Sequence, residues 1–196
     1  MFKIFSLGLL SILLLSVVSC TKQDEDLRRA ELFYKNKKFY EASQAYEKAA
    51  ANDPKILEDP EIVEKFKNSY YYYGGSLEMS GSLEQAIPYY EKGLALAPKD
   101  LAICDKLAKH FWKEEDFEKS AEYFAKLVEL DADLADSDQK WINLGEDYYA
   151  LGYSLYQIEK DPEAKEALEQ SLKVSPQGVY AKKAKSALDA IKSQMK

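Results

Sequence analysis

Residues 70–98, YYYYGGSLEMSGSLEQAIPYYEKGLALAP, decide the fold because the spacings inside this stretch recur along the chain. Its second half carries a small residue, a large residue four positions later, and a proline eight positions after that. A helix usually ends shortly before a proline, so this pattern predicts a helix together with its terminator. The pattern occurs at Ala42, Tyr46 and Pro54, at Ala86, Tyr90 and Pro98, and at Ala164, Leu168 and Pro176.

The first half of the stretch predicts another helix, which lies before the one just described. We call this earlier helix the first helix of the pair and the one that ends before the proline the second helix. Tyr70, Tyr73 and Leu77 fall on one helical face, and Gly74 lies among them. We therefore expect Tyr70 and Tyr73 to be core residues and Gly74 to permit close contact with the partner helix. Similar helices are predicted around Ala30 and Phe33, around Leu107, Ala108 and Phe111, and around Tyr148, Leu151, Gly152 and Leu155.

This alternation resembles the tetratricopeptide repeat, a helix–turn–helix unit of about 34 residues. The resemblance implies an all-α fold, a right-handed α-solenoid of about four helix pairs with a C-terminal capping helix. The helical domain is expected over residues 27–196. Its repeats are placed at about 23–56, 67–100, 101–134 and 145–178, followed by a capping helix at 179–195. Four residues depart from the repeat pattern: Asp26 and Arg29 stand where apolar residues are usual, and Ser120 and Ala132 replace the usual alanine and proline.

The repeats themselves look duplicated, since residues 23–100 align with residues 101–178 at a constant shift of 78. Two insertions, ILEDPEIVEK and ADSDQKWINL, precede the first helices of the second and fourth repeats. Asp59 followed by Pro60 is typical of a helix start. We expect these two helices to begin early and to run for about 20 residues, some 15 Å longer than a standard one. A longer loop is the alternative.

The opposite face of the first helices is expected to line the concave groove that this family uses for binding. Its aromatic rings would anchor a partner segment, and Lys109 or Lys113 would meet an acidic group. The alternative is that half of the tyrosines pack against neighbouring repeats. The expected groove residues are Arg28, Tyr34, Tyr71, Tyr72, Lys106, Lys109, Trp112, Lys113, Tyr149, Tyr153 and Tyr156.

Residues 1–19 are expected to be a lipoprotein signal peptide, with Lys3 before an apolar run too short for a comfortable membrane span. The VVSC sequence that ends at Cys20 resembles the lipobox of bacterial lipoproteins, which implies an acylated Cys20 and a short linker over residues 20–26. The alternatives are a plain secretory peptide and an uncleaved anchor. Lipidation would place the domain outside the cytoplasm in a bacterial envelope, at the outer membrane if the cell has two membranes.

Several classes of function are disfavoured by the sequence. Asp and Glu outnumber Lys and Arg by 34 to 27, so nucleic-acid binding is not expected. His110 is the single histidine, and no serine elbow or phosphate-binding loop occurs, so we expect no enzyme, metal or cofactor. Cys104 is expected to be a small buried hydrophobe. The acidic cluster of Asp131, Asp133, Asp136 and Asp138 lacks the glycine and the closing glutamate of a calcium-binding loop and is expected to be a solvated turn.

The expected function is therefore that of a membrane-tethered scaffold that binds another envelope protein or a peptide segment. The alternative is a transporter-associated lipoprotein that holds a small amphiphile in its aromatic groove. A closed, apolar pocket would favour the amphiphile, whereas an open groove would favour the scaffold.

Overall fold

The computed structural model describes residues 25–132 and 138–194, without the side chains of residues 131–143. The expected signal peptide and Cys20 lie outside the described residues, as do the side chains of the acidic cluster.

The described residues form helices and no strand, and the chain divides into two compact units between Ala97 and Pro98. The first unit contains α1 (residues 25–35), α2 (Phe39–Asn52), a short 3-10 helix (Pro54–Glu58), α3 (Pro60–Met79) and α4 (Leu83–Leu96). The second unit contains α5 (Leu101–Lys113), α6 (Phe117–Ala132), α7 (Asp138–Gln157), α8 (Asp161–Val174) and α9 (Ala181–Gln194). The predicted all-α fold of consecutive helix pairs is confirmed.

Helix α3 begins at the predicted point. The Asp59 carboxylate accepts a hydrogen bond from the backbone N–H of Glu61 at 2.8 Å, which satisfies one of the donors left open at a helix start. Pro60 has no N–H to satisfy at the first helical position. Both α3 and α7 are 20 residues long, so the expectation of long first helices is confirmed.

Helices α1 to α4 of the first unit correspond in order to α5 to α8 of the second. Helices α3 and α7 have equivalent bounds at both ends under the shift of 78 residues, and so do α4 and α8. The turns between paired helices also correspond, since each contains a residue with positive φ. Lys37 and its equivalent Glu115 have φ angles of 57° and 59°, and Gly81 and its equivalent Glu159 have 82° and 59°. Positive φ is uncommon for residues other than glycine, and it occurs in the turn of all four helix pairs, so it reflects the repeat itself. The equivalent bounds of α3 and α7, and of α4 and α8, agree with the predicted duplication.

Small residues allow the paired helices to approach each other. A Cβ atom on Gly74 would lie 2.7 Å from Cε1 of Tyr90, and one on Gly152 would lie 2.7 Å from Cγ of Leu168. Such distances are far below van der Waals contact, so any side chain at these positions would push the helices apart. Ala30 and Ala108 are buried at the equivalent places in α1 and α5.

Two departures from the repeat pattern have a structural explanation. Asp26 is 5% exposed, and it accepts hydrogen bonds from Lys48 Nζ at 3.0 Å and Asn52 Nδ2 at 3.1 Å. A buried carboxylate needs such partners, and α2 supplies both. Ser120 is fully buried with its hydroxyl oxygen 2.9 Å from that of Ser154 in α7. At these two positions, hydrogen bonds between polar side chains replace the apolar contacts that the repeat pattern predicts.

Helix α9 covers the last helix pair, as the predicted capping helix should. Ala184, Leu188 and Ile191 are buried, and they pack with Tyr149 and Leu168 in one hydrophobic cluster. The lysines on the other side of α9 are exposed. The apolar stripe therefore serves the core of the second unit.

Candidate partner-binding site

In the first unit, the expected groove residues form a small aromatic surface. Tyr72 is 45% exposed, and its ring centroid lies 4.8 Å from that of Phe39. Tyr34 packs edge-on against Phe39 at 5.8 Å. Tyr71 is half-buried between Tyr72 and Tyr90. Phe39 thus joins the expected tyrosines, although its position at the start of a second helix did not single it out.

The two tyrosines expected in the core behave differently. Tyr70 is 3% exposed, and its hydroxyl donates a hydrogen bond to Glu47 at 2.6 Å. Burial, together with the nearby Glu47 carboxylate, raises the pKa of Tyr70 well above its ordinary value. Tyr73 is only half-buried, so its assignment to the core is wrong in part. Its ring lies between those of Tyr40 and Tyr89, at 4.8 Å and 4.6 Å, and this layer of rings remains partly accessible.

In the second unit, the expected groove residues come together around Trp112. The Trp112 ring lies 5.2 Å from Tyr153 and 6.3 Å from Tyr149, both on α7. Phe117, at the start of α6, lies 6.3 Å from Trp112 and 5.9 Å from Tyr153. Trp112 and Tyr153 keep part of their surface accessible, as does Tyr156 one turn further along α7.

These rings form one wall of a pocket of about 870 Å³ that opens to solvent. We call it the aromatic pocket. Trp112, Phe117, Tyr153 and Tyr156 supply its aromatic lining, and α9 contributes Lys182, Lys183, Ser186 and Ala187. Glu115, Tyr149 and Gln157 complete the described lining. The pocket thus combines apolar rings with two cations and one carboxylate.

The structure changes the expected role of Tyr149. It is 6% exposed because Tyr180 stacks on it with a centroid distance of 4.7 Å. Burial raises the pKa of Tyr149. Tyr149 reaches the pocket but belongs mainly to the core, as the alternative interpretation of the tyrosines allowed.

The cations at the pocket also differ from those expected. Lys109 is exposed, and its ammonium group lies 2.7 Å from the Asp105 carboxylate on the same helix. Neither Lys109 nor Lys113 lines the aromatic pocket, whereas Lys182 and Lys183 do. The sequence placed these two lysines on the polar side of the capping helix, which is correct, but gave no sign that they line one pocket with Trp112.

The remaining reactive side chains are packed in the interior. Cys104 is fully buried, and burial raises the pKa of its thiol to about 11, so it is a neutral core residue as expected. His110 is 9% exposed, with Nδ1 lacking a hydrogen-bond partner among the described residues. Within residues 25–130 and 144–194, no three histidine, cysteine or acidic side chains are grouped as a metal site would require.

In the described part of the chain, no helix has the length and apolar character needed to cross a membrane.

Family models match most of the helical domain. Two models, both described as the tetratricopeptide repeat, match residues 27–100 and residues 101–134 and 148–177. A curated relative, "Inactive peptidyl-prolyl cis-trans isomerase shutdown" of Bombyx mori, is 46% identical over 54 residues. That match covers 28% of this chain and 12% of the relative's length.

Solved structures show the same fold at low sequence identity. The N-terminal domain of stress-induced protein-1 (STI-1) from C. elegans is similar with a TM-score of 0.53 and 17% identity, covering 64% of this chain and 96% of that domain. A structure titled MamA AMB-1 is similar with a TM-score of 0.55 and 16% identity, covering 89% of this chain and 83% of that one. At these identities the likeness concerns the arrangement of helices.

Proposed function

The chain belongs to the tetratricopeptide repeat family, and from this premise we propose that it is a non-enzymatic scaffold which holds a partner protein segment in the aromatic pocket. Stacked helical repeats suit protein–protein interaction because their concave faces offer extended binding surfaces. The proposal assigns that role to one pocket of the second unit.

The observation that carries the proposal is the partial exposure of three large rings around one pocket. Trp112, Tyr153 and Tyr156 line it together, and none of them is fully buried. Tryptophan and tyrosine are enriched among the residues that contribute most to binding, because they bury a large area with little loss of side-chain entropy. A folded protein rarely exposes such rings together without a use for them.

The charges beside the rings indicate what the partner offers. Lys182 and Lys183 are exposed residues of the pocket lining, while Glu115 is the one acidic side chain of the described lining. A partner segment with an apolar or aromatic side chain and a nearby carboxylate would meet both the rings and the lysines. The charged contact would lie at an accessible rim and contribute to specificity and association rate more than to affinity.

The shape of the pocket supports a protein segment over a small amphiphile. Sites for small ligands usually enclose most of the ligand surface. The aromatic pocket is instead open to solvent along one side. An extended segment can cross such a pocket, whereas an amphiphile would keep much of its apolar surface in water.

The membrane attachment is part of the proposal and rests on the sequence. The VVSC sequence ends at Cys20 and is followed by the polar run TKQDED. Acyl chains on Cys20 would tether the scaffold to a bacterial envelope membrane with the helical domain outside the cytoplasm. Each buried methylene contributes about 0.8 kcal/mol, so two or more chains give stable attachment.

The proposal is tested by capturing the partner from native envelope membranes with the intact protein. Tyr156→Ala and the pair Lys182→Glu with Lys183→Glu should each lose the captured protein. Tyr40→Ala is the matched control, since Tyr40 is a partly exposed tyrosine of the first unit outside the pocket. Equal capture by the wild-type protein and both pocket variants would refute the assignment of the pocket.

A further inference from the structure

A second cleft lies in the second unit, on α6, α7 and α8. Its volume is about 670 Å³, and it opens to solvent. The centre of its floor is apolar, formed by Ala121 of α6, Leu151 and Leu155 of α7, and Ala167 of α8. No residue of its described lining also lines the aromatic pocket. The two pockets are therefore separate surfaces of one unit.

The equivalent place in the first unit is filled by tyrosine rings. The ring centroids of Tyr40 and Tyr73 lie 4.8 Å apart, and those of Tyr73 and Tyr89 lie 4.6 Å apart. The helices are equivalent in the two units, so the difference comes from the side chains. The shift of 78 residues relates Tyr40 to Glu118, Tyr73 to Leu151 and Tyr89 to Ala167. The second unit thus lacks the side chains that fill this space in the first.

Glutamates border the apolar floor on two sides. Glu118 and Glu122 come from α6, and Glu163 and Glu166 come from α8. Glu122 pairs with Lys126 at 2.7 Å, while the other three make no hydrogen bond or ion pair to another described residue. Lys160 is the only cation of the described lining.

Helix stability explains only some of these glutamates. Glu118 and Glu163 lie in the first turns of α6 and α8, where a carboxylate interacts favourably with the helix dipole. Glu122 lies about one turn further along α6, where its (i, i+4) ion pair with Lys126 also stabilises the helix. Glu166 lies about one turn further along α8 and has neither explanation. Its carboxylate, beside the apolar floor, is available to a partner of opposite charge.

We propose that this acidic cleft binds a partner segment in which apolar side chains are flanked on both sides by lysine or arginine. The apolar side chains would leave water by packing on the alanine and leucine floor. The flanking cations would meet the carboxylates of α6 on one side and those of α8 on the other. Opposite charge at the rim guides association and disfavours acidic partners.

The test uses the immobilised full chain and a synthetic peptide with central leucines flanked by lysines. Two control peptides replace the leucines with serine or the lysines with glutamate. The leucine–lysine peptide should bind, and each control should bind at least about tenfold more weakly. Equal binding of the serine control would overturn the proposal, because it would reflect only attraction to a chain of net charge −7.

A filling variant tests the location. Leu151→Tyr with Ala167→Tyr introduces the tyrosines found at the equivalent positions of the first unit, where Tyr73 of α3 and Tyr89 of α4 pack against each other. The variant should keep its helical circular dichroism and lose peptide binding by about tenfold or more. Binding as in the wild type would overturn the proposal. Loss of binding in Tyr156→Ala would also overturn it, because the peptide would then occupy the aromatic pocket.

A charge variant remains informative if the filled variant fails to fold. Glu118→Lys with Glu166→Lys should weaken binding by about tenfold. Glu129→Lys with Glu169→Lys makes the same change in net charge on α6 and α8 outside the cleft, and it should bind as the wild type. Equal losses in the two pairs would overturn the proposal. The proposal would also be overturned if the wild-type chain self-associates with rising concentration and Leu151→Tyr with Ala167→Tyr abolishes this, because a second copy of the chain would then occupy the cleft.

Discussion

Gly74 of α3 lies so close to Tyr90 of α4 that a Cβ atom on the glycine would be 2.7 Å from the tyrosine ring. The contact fixes which face of α3 is turned toward its partner helix. It therefore determines that Tyr70 is buried while Tyr72 is exposed. Gly152 and Leu168 repeat the relationship in the second unit.

Gly74→Leu and Gly152→Leu should each destabilise the protein by about 1–3 kcal/mol or more, because the added side chain has no space between the helices. Gly75→Ala is the control. A Cβ atom there would meet only the Tyr90 hydroxyl at an ordinary 3.9 Å, so the variant should be neutral or more stable by up to about 1 kcal/mol. Urea unfolding of the three variants measures this. Equal stability of all three would contradict the packing described.

Much of the fold was predictable because its determinants are local in sequence. Asp59 and Pro60 mark the start of α3 by chemistry that needs no tertiary contact. The close contact of Gly74 was predictable because a small residue at that position of the repeat lets the paired helices approach each other. Tyr73 was assigned incompletely, because its exposure depends on Tyr40 and Tyr89, which lie on other helices.

Acid should weaken the first unit through Glu47. Burial alone would raise the pKa of this carboxyl, but hydrogen bonds from Lys92 and Tyr70 outweigh burial and hold it below 4.5. A lowered pKa adds stability that is present above 4.5 and is lost as the pH falls through the folded-state value. Glu47→Gln should therefore be destabilising at about pH 7 and progressively less so toward about pH 3.

Urea unfolding at a series of pH values measures the difference in the free energy of unfolding between Glu47→Gln and the wild type. Glu91→Gln on α4 is the control, because it removes a carboxylate from an exposed position of the same unit. If Glu47→Gln lowers the free energy of unfolding by the same amount at every pH, the hydrogen bonds from Lys92 and Tyr70 do not hold the pKa of Glu47 down as described.

The Cys104 thiol should be protected from modification in the folded protein. It is fully buried, and burial raises its pKa from 9.0 to about 11. The stabilisation from the neutral thiol is present below pH 9.0 and is lost as the pH rises through about 11. In a Cys20→Ser chain, where Cys104 is the remaining cysteine, a thiol reagent at about pH 8 should react only after unfolding in urea. Rapid reaction of the folded chain would contradict the burial.

Membrane attachment should depend on Cys20. Cys20→Ser should remove the acylation site and either move the protein from the membrane to the soluble fraction or leave an unprocessed precursor. Fractionation and gel mobility with and without globomycin measure this in the bacterial host. Full membrane retention with unchanged size after globomycin would contradict lipidation. Cys104→Ser is the matched control and should leave the distribution between fractions unchanged.

The candidate site was less predictable than the fold. Trp112, Tyr153 and Tyr156 could be grouped because they share one face of successive first helices. Lys182 and Lys183 could not be placed at the pocket, since their position depends on how α9 packs against α7. Tyr149 lines the pocket, but its burial could not be foreseen, because Tyr180 comes from the segment before α9 and covers it. Contacts between elements distant in sequence decide these details.

The central claim is that the aromatic pocket holds a partner segment, and site-specific photo-crosslinking in native envelope membranes tests it most directly. A photoreactive amino acid would replace Tyr156 in one chain and Tyr40 in another. We expect a discrete adduct from position 156 that disappears with Lys182→Glu and Lys183→Glu, and no such adduct from position 40. If the partner is captured but crosslinks at position 40 and not at position 156, the assignment of the pocket is wrong.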